Sequence, residues 1–172
     1  MDLPKRKTIR LQGYDYNTPG YYFITVCTED KKPMLCKIVW TGLPDGPQVV
    51  LSSYGKIADK QLQTMRGFYN DVHVDKYVIM PNHIHLILVL EDGMDGPSGR
   101  PVPTDTKIAR FVGTFKRFYN RRYGKNIWQY HSYDHVIRSE RDYRKIWQYI
   151  DGNPGKWVED CFYIADTITG NS

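Results

Sequence analysis

The residues that most constrain the fold are Tyr77-Val78-Ile79-Met80-Pro81-Asn82-His83-Ile84-His85-Leu86-Ile87-Leu88-Val89-Leu90. Two apolar runs flank a Pro-Asn break, the pattern of a strand, a tight turn and a second strand. Successive strand side chains point to opposite faces. Ile84, Leu86, Leu88 and Leu90 therefore share a face fit for a core, while His83 and His85 share the other with Ile87 and Val89. Two imidazoles two residues apart on a strand can converge on one metal ion. The bare His-x-His pattern equally fits two side chains at an exposed strand start, so other residues must decide.

The rest of the chain supplies elements around this pair. Tyr21-Tyr22-Phe23-Ile24-Thr25-Val26-Cys27-Thr28 is aromatic and β-branched and reads as a central strand. Lys37 to Trp40 and Val49-Val50-Leu51 are candidate short strands. Ser52 or Ser53 can cap a helix that runs to about Arg66 and stops at Gly67. A Gly/Pro/Asp loop spans residues 91–103. Thr104 or Asp105 starts a helix reaching about Tyr123, with Gly113 inside it and Gly124 as a stop. Ile127-Trp128-Gln129-Tyr130 reads as extended. Ser139-Glu140-Arg141-Asp142 resembles a capping box opening a last helix. Its stripe is Tyr143, Ile146, Trp147 and Ile150, and Pro154 ends it. This order predicts an α+β, ferredoxin-like antiparallel sheet with helices packed on one face, plus a C-terminal helix. One domain over residues 1–172 is expected, with 1–20 and 157–172 as extensions.

At 172 residues and 41% hydrophobic content the chain can bury one real core. It has no apolar run long enough to cross a bilayer and no apolar signal core near Met1, so the expectation is a cytoplasmic protein with no membrane partner. Cys27, Cys36 and Cys161 are widely spaced without Cys-x-x-Cys, which argues against a disulfide framework or a zinc ribbon. The formal net charge is +5, and its distribution is more informative than its size. No acidic residue lies between Asp105 and Asp134, an interval holding Lys107, Arg110, Lys116, Arg117, Arg121, Arg122 and Lys125. Phe111, Phe115, Phe118, Tyr119, Tyr123 and Trp128 are interleaved. A one-sign block with aromatic neighbours fits phosphate contact and base stacking, and these basic residues are the candidate DNA contacts. An amphipathic helix with a basic polar face is the plainer alternative.

On the last helix Tyr149 and Asn153 are four residues apart and so share one face. The Asn153 amide oxygen is a hard neutral ligand suited to Mg²⁺ or Mn²⁺. Alone, Tyr149 is one of 14 tyrosines and Asn153 a helix cap. Together with the histidines they carry a resemblance. Met80-Pro81-Asn82-His83-Ile84-His85-Leu86 is similar to the His-hydrophobic-His motif of single-strand DNA transposases with one catalytic tyrosine. The later block matches as well: Ile127-Trp128-Gln129, Tyr133-Asp134-His135-Val136-Ile137-Arg138, Asp142-Tyr143 and Tyr149-Ile150-Asp151-Gly152-Asn153-Pro154. Together, over roughly residues 20–156, they resemble the REP-associated tyrosine transposases. In the insertion-sequence relatives a Gln stands where Asn153 stands here.

The resemblance implies metal-dependent nicking and joining of single-stranded or hairpin DNA through a 5′-phosphotyrosine. Tyr149 would be the nucleophile. His83, His85 and Asn153 would hold Mg²⁺ or Mn²⁺, and the protein would act as a monomer or homodimer. Neutral imidazoles are needed for metal binding, which predicts activity falling below about pH 6. Asp134 is a candidate orienting residue. Sequence choice is expected from the N-terminal basic segment or the tail. The competing expectation is a non-catalytic, domesticated nucleic-acid-binding module of the same fold.

Overall fold

The structure is a computed structural model that describes residues 13–42, 44, 46–92 and 106–164. The expected start of the basic helix at Thr104 or Asp105, most of the 91–103 loop, the N-terminal basic segment and the end of the tail lie outside those residues. Among the described residues there are six strands and three helices: β1 (Gly20–Cys27), β2 (Cys36–Val39), β3 (Gln48–Leu51), α1 (Ser53–Met65), β4 (Val72–Ile79), β5 (His83–Leu90), α2 (Lys107–Tyr123), β6 (Tyr133–Ile137) and α3 (Glu140–Gly152). Short 3₁₀ turns follow β1 and α3.

β4, β5, β1 and β6 form one antiparallel sheet in that order, and β2 and β3 pair apart from it. With α1 between β1 and β4, and α2 between β5 and β6, this is the ferredoxin-like arrangement. β6 is the strand that the sequence pattern did not announce. It is five residues long and opens Tyr-Asp-His, so its only apolar pair is Val136-Ile137. It is a strand because β1 offers it a ladder, from Tyr21 opposite Ile137 to Thr25 opposite Tyr133.

The sheet separates two layers. Tyr22, Ile24 and Val26 of β1 and Ile84, Leu86, Leu88 and Leu90 of β5 pack against Leu62 and Met65 of α1 and Phe111, Phe115 and Tyr119 of α2. On the other side Ile87 and Ile137 meet Ile150 of α3, with Phe23, Val78, Tyr143 and Ile146 around them. Burying the larger face supplies most of the stabilisation, at about 25 cal/mol per Å² of apolar surface. Trp147, expected in the buried stripe, is 39% exposed. It stands one position round the helix from Tyr143, Ile146 and Ile150, and its ring instead receives the Lys76 ammonium 3.3 Å from the centroid.

Local chemistry fixes the ends of the helices. The side chains of Ser52, Thr106 and Ser139 accept from the third backbone N–H beyond them, at 3.1, 3.2 and 3.1 Å. Gly124 closes α2 with a φ of 97°, the left-handed position that glycine fills without cost. Gly55 permits a close approach: a β-carbon there would stand 2.0 Å from the Leu35 carbonyl oxygen.

Candidate active site

The two-residue Pro81-Asn82 loop makes the site possible. It is clamped by hydrogen bonds from Met80 N–H to the His83 carbonyl (2.8 Å), Leu35 N–H to the Pro81 carbonyl (2.9 Å) and Thr28 N–H to the Asn82 carbonyl (2.9 Å). With the hairpin register set, His83 lies opposite Cys27 and His85 opposite Thr25. Both imidazoles leave the sheet on the α3 side. The exposed-start alternative fails: His83 is 0% and His85 1% exposed.

A buried polar side chain needs partners, and each imidazole has one behind it. The Asn82 amide nitrogen donates to the carbonyls of Phe162 (2.7 Å) and Lys31 (3.1 Å), which leaves its oxygen to accept from His83 Nδ1 at 2.8 Å. That places the His83 proton on Nδ1 and a lone pair on Nε2. His85 Nδ1 is 2.8 Å from the Thr25 hydroxyl. The two Nε2 atoms then face each other at 3.0 Å. Two nitrogens bound at about 2.1 Å and about 90° to one ion stand about 3.0 Å apart, so this spacing is that of adjacent ligands.

α3 brings the second half. Its Tyr149 hydroxyl lies 3.3 Å from His85 Nε2. Asn153, one turn on, is 1% exposed, and its amide oxygen is buried without a hydrogen-bond partner. The residue that sequence reasoning missed is Asp160. Its Oδ2 accepts from Asn153 Nδ2 at 2.9 Å and from the Tyr149 hydroxyl at 3.3 Å, and its Oδ1 accepts from Phe162 N–H at 2.7 Å. His83, His85 and Asp160 each bring a ligand atom within 4.8 Å of the others. The Asp160 side chain is 1% exposed and 3.9 Å from His83 Nε2. No periodicity marks Asp160, because it follows a 3₁₀ turn rather than sitting on a helix or strand.

Burial sets the protonation states. It pushes His83 and His85 down to about 3, with Lys31 adding to the effect at His83 and the His83 charge adding to it at His85. A 3.9 Å separation from a carboxylate is ion-pair distance, yet a neutral His83 makes no ion pair. Both imidazoles are thus ready to ligate, and the expected fall in activity below about pH 6 loses its basis in them. Burial also raises the Tyr149 phenol above its ordinary value, and the Asp160 charge raises it further. A buried carboxylate beside the His83 lone pair and an orphaned amide oxygen is costly unless something positive offsets it. This donor set, two imidazoles with carboxylate and amide oxygens, fits a divalent cation.

His83, His85, Tyr149 and Asn153 therefore meet in one place. The seven basic residues assigned to DNA do not join them: α2 lies on the opposite face of the sheet. Lys107 pairs with Asp71 at 2.8 Å. Lys116 donates to the carbonyls of Gln129 (2.8 Å) and Tyr130 (3.1 Å). Arg117 donates to the Thr114 hydroxyl. Arg110, Arg121, Arg122 and Lys125 are exposed. Asp134 also faces the α2 layer, opposite Ile24, and cannot orient the histidines. His135 pairs with Asp142 at 2.9 Å.

No protein-family model matches the chain. A Haemophilus influenzae protein described only as uncharacterized is 30% identical over 174 residues, covering 92% of this chain and 93% of the relative. A second H. influenzae protein, provisionally assigned as a REP-associated tyrosine transposase, is 32% identical over 146 residues, covering 83% and 74%. The Escherichia coli REP-associated tyrosine transposase is 34% identical over 88 residues, 50% of this chain and 47% of its own. A solved REP-associated tyrosine transposase bound to a REP hairpin superposes with a TM-score of 0.59 at 21% identity, covering 90% of this chain and 75% of that one. That likeness shows the fold. The identity, extended over most of both chains, shows the family: this chain belongs to the REP-associated tyrosine transposases.

Proposed function

We propose that the chain is a metal-dependent enzyme that nicks and rejoins single-stranded or hairpin DNA by transesterification through Tyr149. One observation carries the reading: the Tyr149 hydroxyl lies 3.3 Å from His85 Nε2, beside the facing Nε2 atoms of the two imidazoles. The solved relative's REP hairpin supports a DNA partner of that kind.

His83, His85 and Asp160 would hold Mg²⁺ or Mn²⁺, with the Asn153 amide oxygen completing the protein's share. When bound, the ion supplies charge neutralisation and polarisation at a scissile phosphate. The remaining work belongs to the chain. Burial and Asp160 keep the Tyr149 proton in place in the cation-free pocket. Neutralising Asp160 removes one of those two causes, and the half-exposed phenol passes its proton to water. The Tyr149 oxygen attacks phosphorus, a Tyr149 O–P bond forms, and the P–O3′ bond breaks. The departing oxygen takes a proton and becomes a 3′-OH. A second 3′-OH can reverse the exchange without an external energy source, because one phosphodiester-type bond replaces another. The phenol of a single chain reaches its own histidines, which supports action in cis by a monomer over exchange within a homodimer. Exposed Arg110, Arg121, Arg122 and Lys125 would serve the DNA backbone away from the chemistry. No helix among the described residues is long and apolar enough to cross a membrane, and a cytoplasmic location accords with a DNA substrate.

The test is a denaturing gel of end-labelled hairpin DNA with Mg²⁺ or Mn²⁺. The expected result is a protein–DNA adduct lost in Tyr149→Phe. A purely reversible shift under every condition would favour the non-catalytic binding module.

A further inference from the structure

A cleft of about 530 Å³ opens between α2 and the β6 edge, on the layer opposite the histidines. Its volume lies within the roughly 300–1,000 Å³ of small-ligand sites. Four features of it stand without a role in the chemistry described above. Its floor includes Gly113, a glycine in the middle of a 17-residue helix, where alanine is intrinsically better. No packing explains that choice, since a β-carbon at Gly113 would meet nothing within 4 Å. At its rim Tyr130 is 91% exposed, the most exposed large hydrophobic side chain among the described residues. Lys116 lines the wall; two of its ammonium hydrogens serve the carbonyls of Gln129 and Tyr130, and an ammonium has three. The whole rim from α2 to Ser132 belongs to the acid-free interval.

We infer that this cleft is a binding site for one unpaired nucleotide of the DNA strand, its base lying flat against Gly113 beneath the Tyr130 ring and its phosphate facing Lys116. The inference rests on the proposed DNA function and deepens it. A flat ring needs a floor without side chains, which Gly113 provides. The exposed Tyr130 ring at the rim supplies a stacking face that tolerates any base. Lys116 is the basic residue of the lining and suits the phosphate, while Asp134 holds the β6 end of the cleft. A strand leaving the candidate active site over the β6 edge would reach this cleft. Tyr133 of β6, on the site side, is 6.1 Å from Phe162, whose ring is 4.7 Å from His83. Asp134, the next residue, lines the cleft.

Fluorescence anisotropy of the full chain in EDTA, where no strand is cut, tests this with two labelled hairpins, one blunt and one carrying a short unpaired extension. The extension is expected to tighten binding by roughly 5- to 150-fold, the range for one stacked base. Gly113→Leu fills the cleft and is expected to remove that gain while leaving blunt-hairpin affinity unchanged and the melting temperature no lower, since leucine is the better helix former and its β-carbon meets nothing there. Tyr130→Ala is expected to reduce the gain, and it leaves the backbone carbonyl that holds Lys116. The inference is overturned if the extension gives no gain. It is also overturned if Gly113→Leu and Tyr130→Ala both retain the gain, or if they weaken the two hairpins equally. Failure to form a covalent adduct with Mg²⁺ while these binding differences persist would count against the nicking chemistry alone.

Discussion

Acid should unfold the metal-free protein through its two site histidines, and the size of the effect follows from their burial. His83 and His85 are held down to about 3, against an ordinary value near 6.5. As pH falls below 6.5 the unfolded chain takes up protons on these two rings and the folded chain does not. Stability must therefore drop from pH 6.5 towards pH 3. At pH 5 the loss depends only on the unfolded value, provided the folded one lies well below 5. It is about 2 kcal/mol per imidazole, roughly 4 kcal/mol for the pair, out of a typical domain stability of about 5–15 kcal/mol. At pH 7 the same term is a few tenths of a kcal/mol. The assay is urea denaturation in EDTA at pH 7 and pH 5, for the parent chain and for His83→Gln and His85→Gln. Each variant begins from its own stability, so the quantity compared is the change between the two pH values. Other titrating groups are common to all three proteins and largely cancel. Each variant should lose about 2 kcal/mol less than the parent on acidification. If parent and variants lose the same amount to within about 0.5 kcal/mol, the imidazoles are not held neutral by burial, and the argument for ready metal ligands goes with it.

Tyr143→Phe should leave adduct formation intact while Tyr149→Phe abolishes it, because the Tyr143 hydroxyl is committed to Asp75 at 2.7 Å and is pushed up to about 12, first by that hydrogen bond. Asp160→Asn should weaken Mn²⁺ binding, read by calorimetry, at least 10-fold, with the fold retained by circular dichroism; unchanged affinity would remove Asp160 from the ligand set. Gly55→Ala should destabilise the fold by about 2 kcal/mol or more in a denaturant melt, since its β-carbon would stand 2.0 Å from a backbone oxygen that cannot swing aside. Under native conditions iodoacetamide should label Cys161, which is exposed, and spare Cys27 and Cys36, which burial pushes up to about 12; mass spectrometry of labelled peptides decides this.

What the sequence makes legible is what obeys a short period. Alternation along β5 puts His83 and His85 on one face, and a four-residue step along α3 puts Tyr149 and Asn153 on another; the fold turns the two faces toward each other. The caps at Ser52 and Ser139 follow from side chains that can accept a backbone N–H at a helix start. The parts that stay hidden have no period. Asp160 enters the site from an irregular turn, and β6 is a strand only because β1 has an edge to offer. The basic run on α2 is plain as charge, but which side of the sheet it occupies depends on tertiary packing. Its aromatic neighbours Phe111, Phe115, Tyr119 and Trp128 prove to be core, packed ring on ring, rather than a stacking surface.

β5 does two jobs with one backbone: even-numbered positions from Ile84 to Leu90 fill the main core, and His83 and His85 stand between them on the reverse. A one-residue slip of β5 against its neighbours would turn the strand over, sending imidazoles into oil and leucines toward phosphate. Chemistry and folding are thus coupled by parity. A lineage of such chains can tune the site by replacement, but any change of length has to be absorbed in the loop or shift the strand by twos.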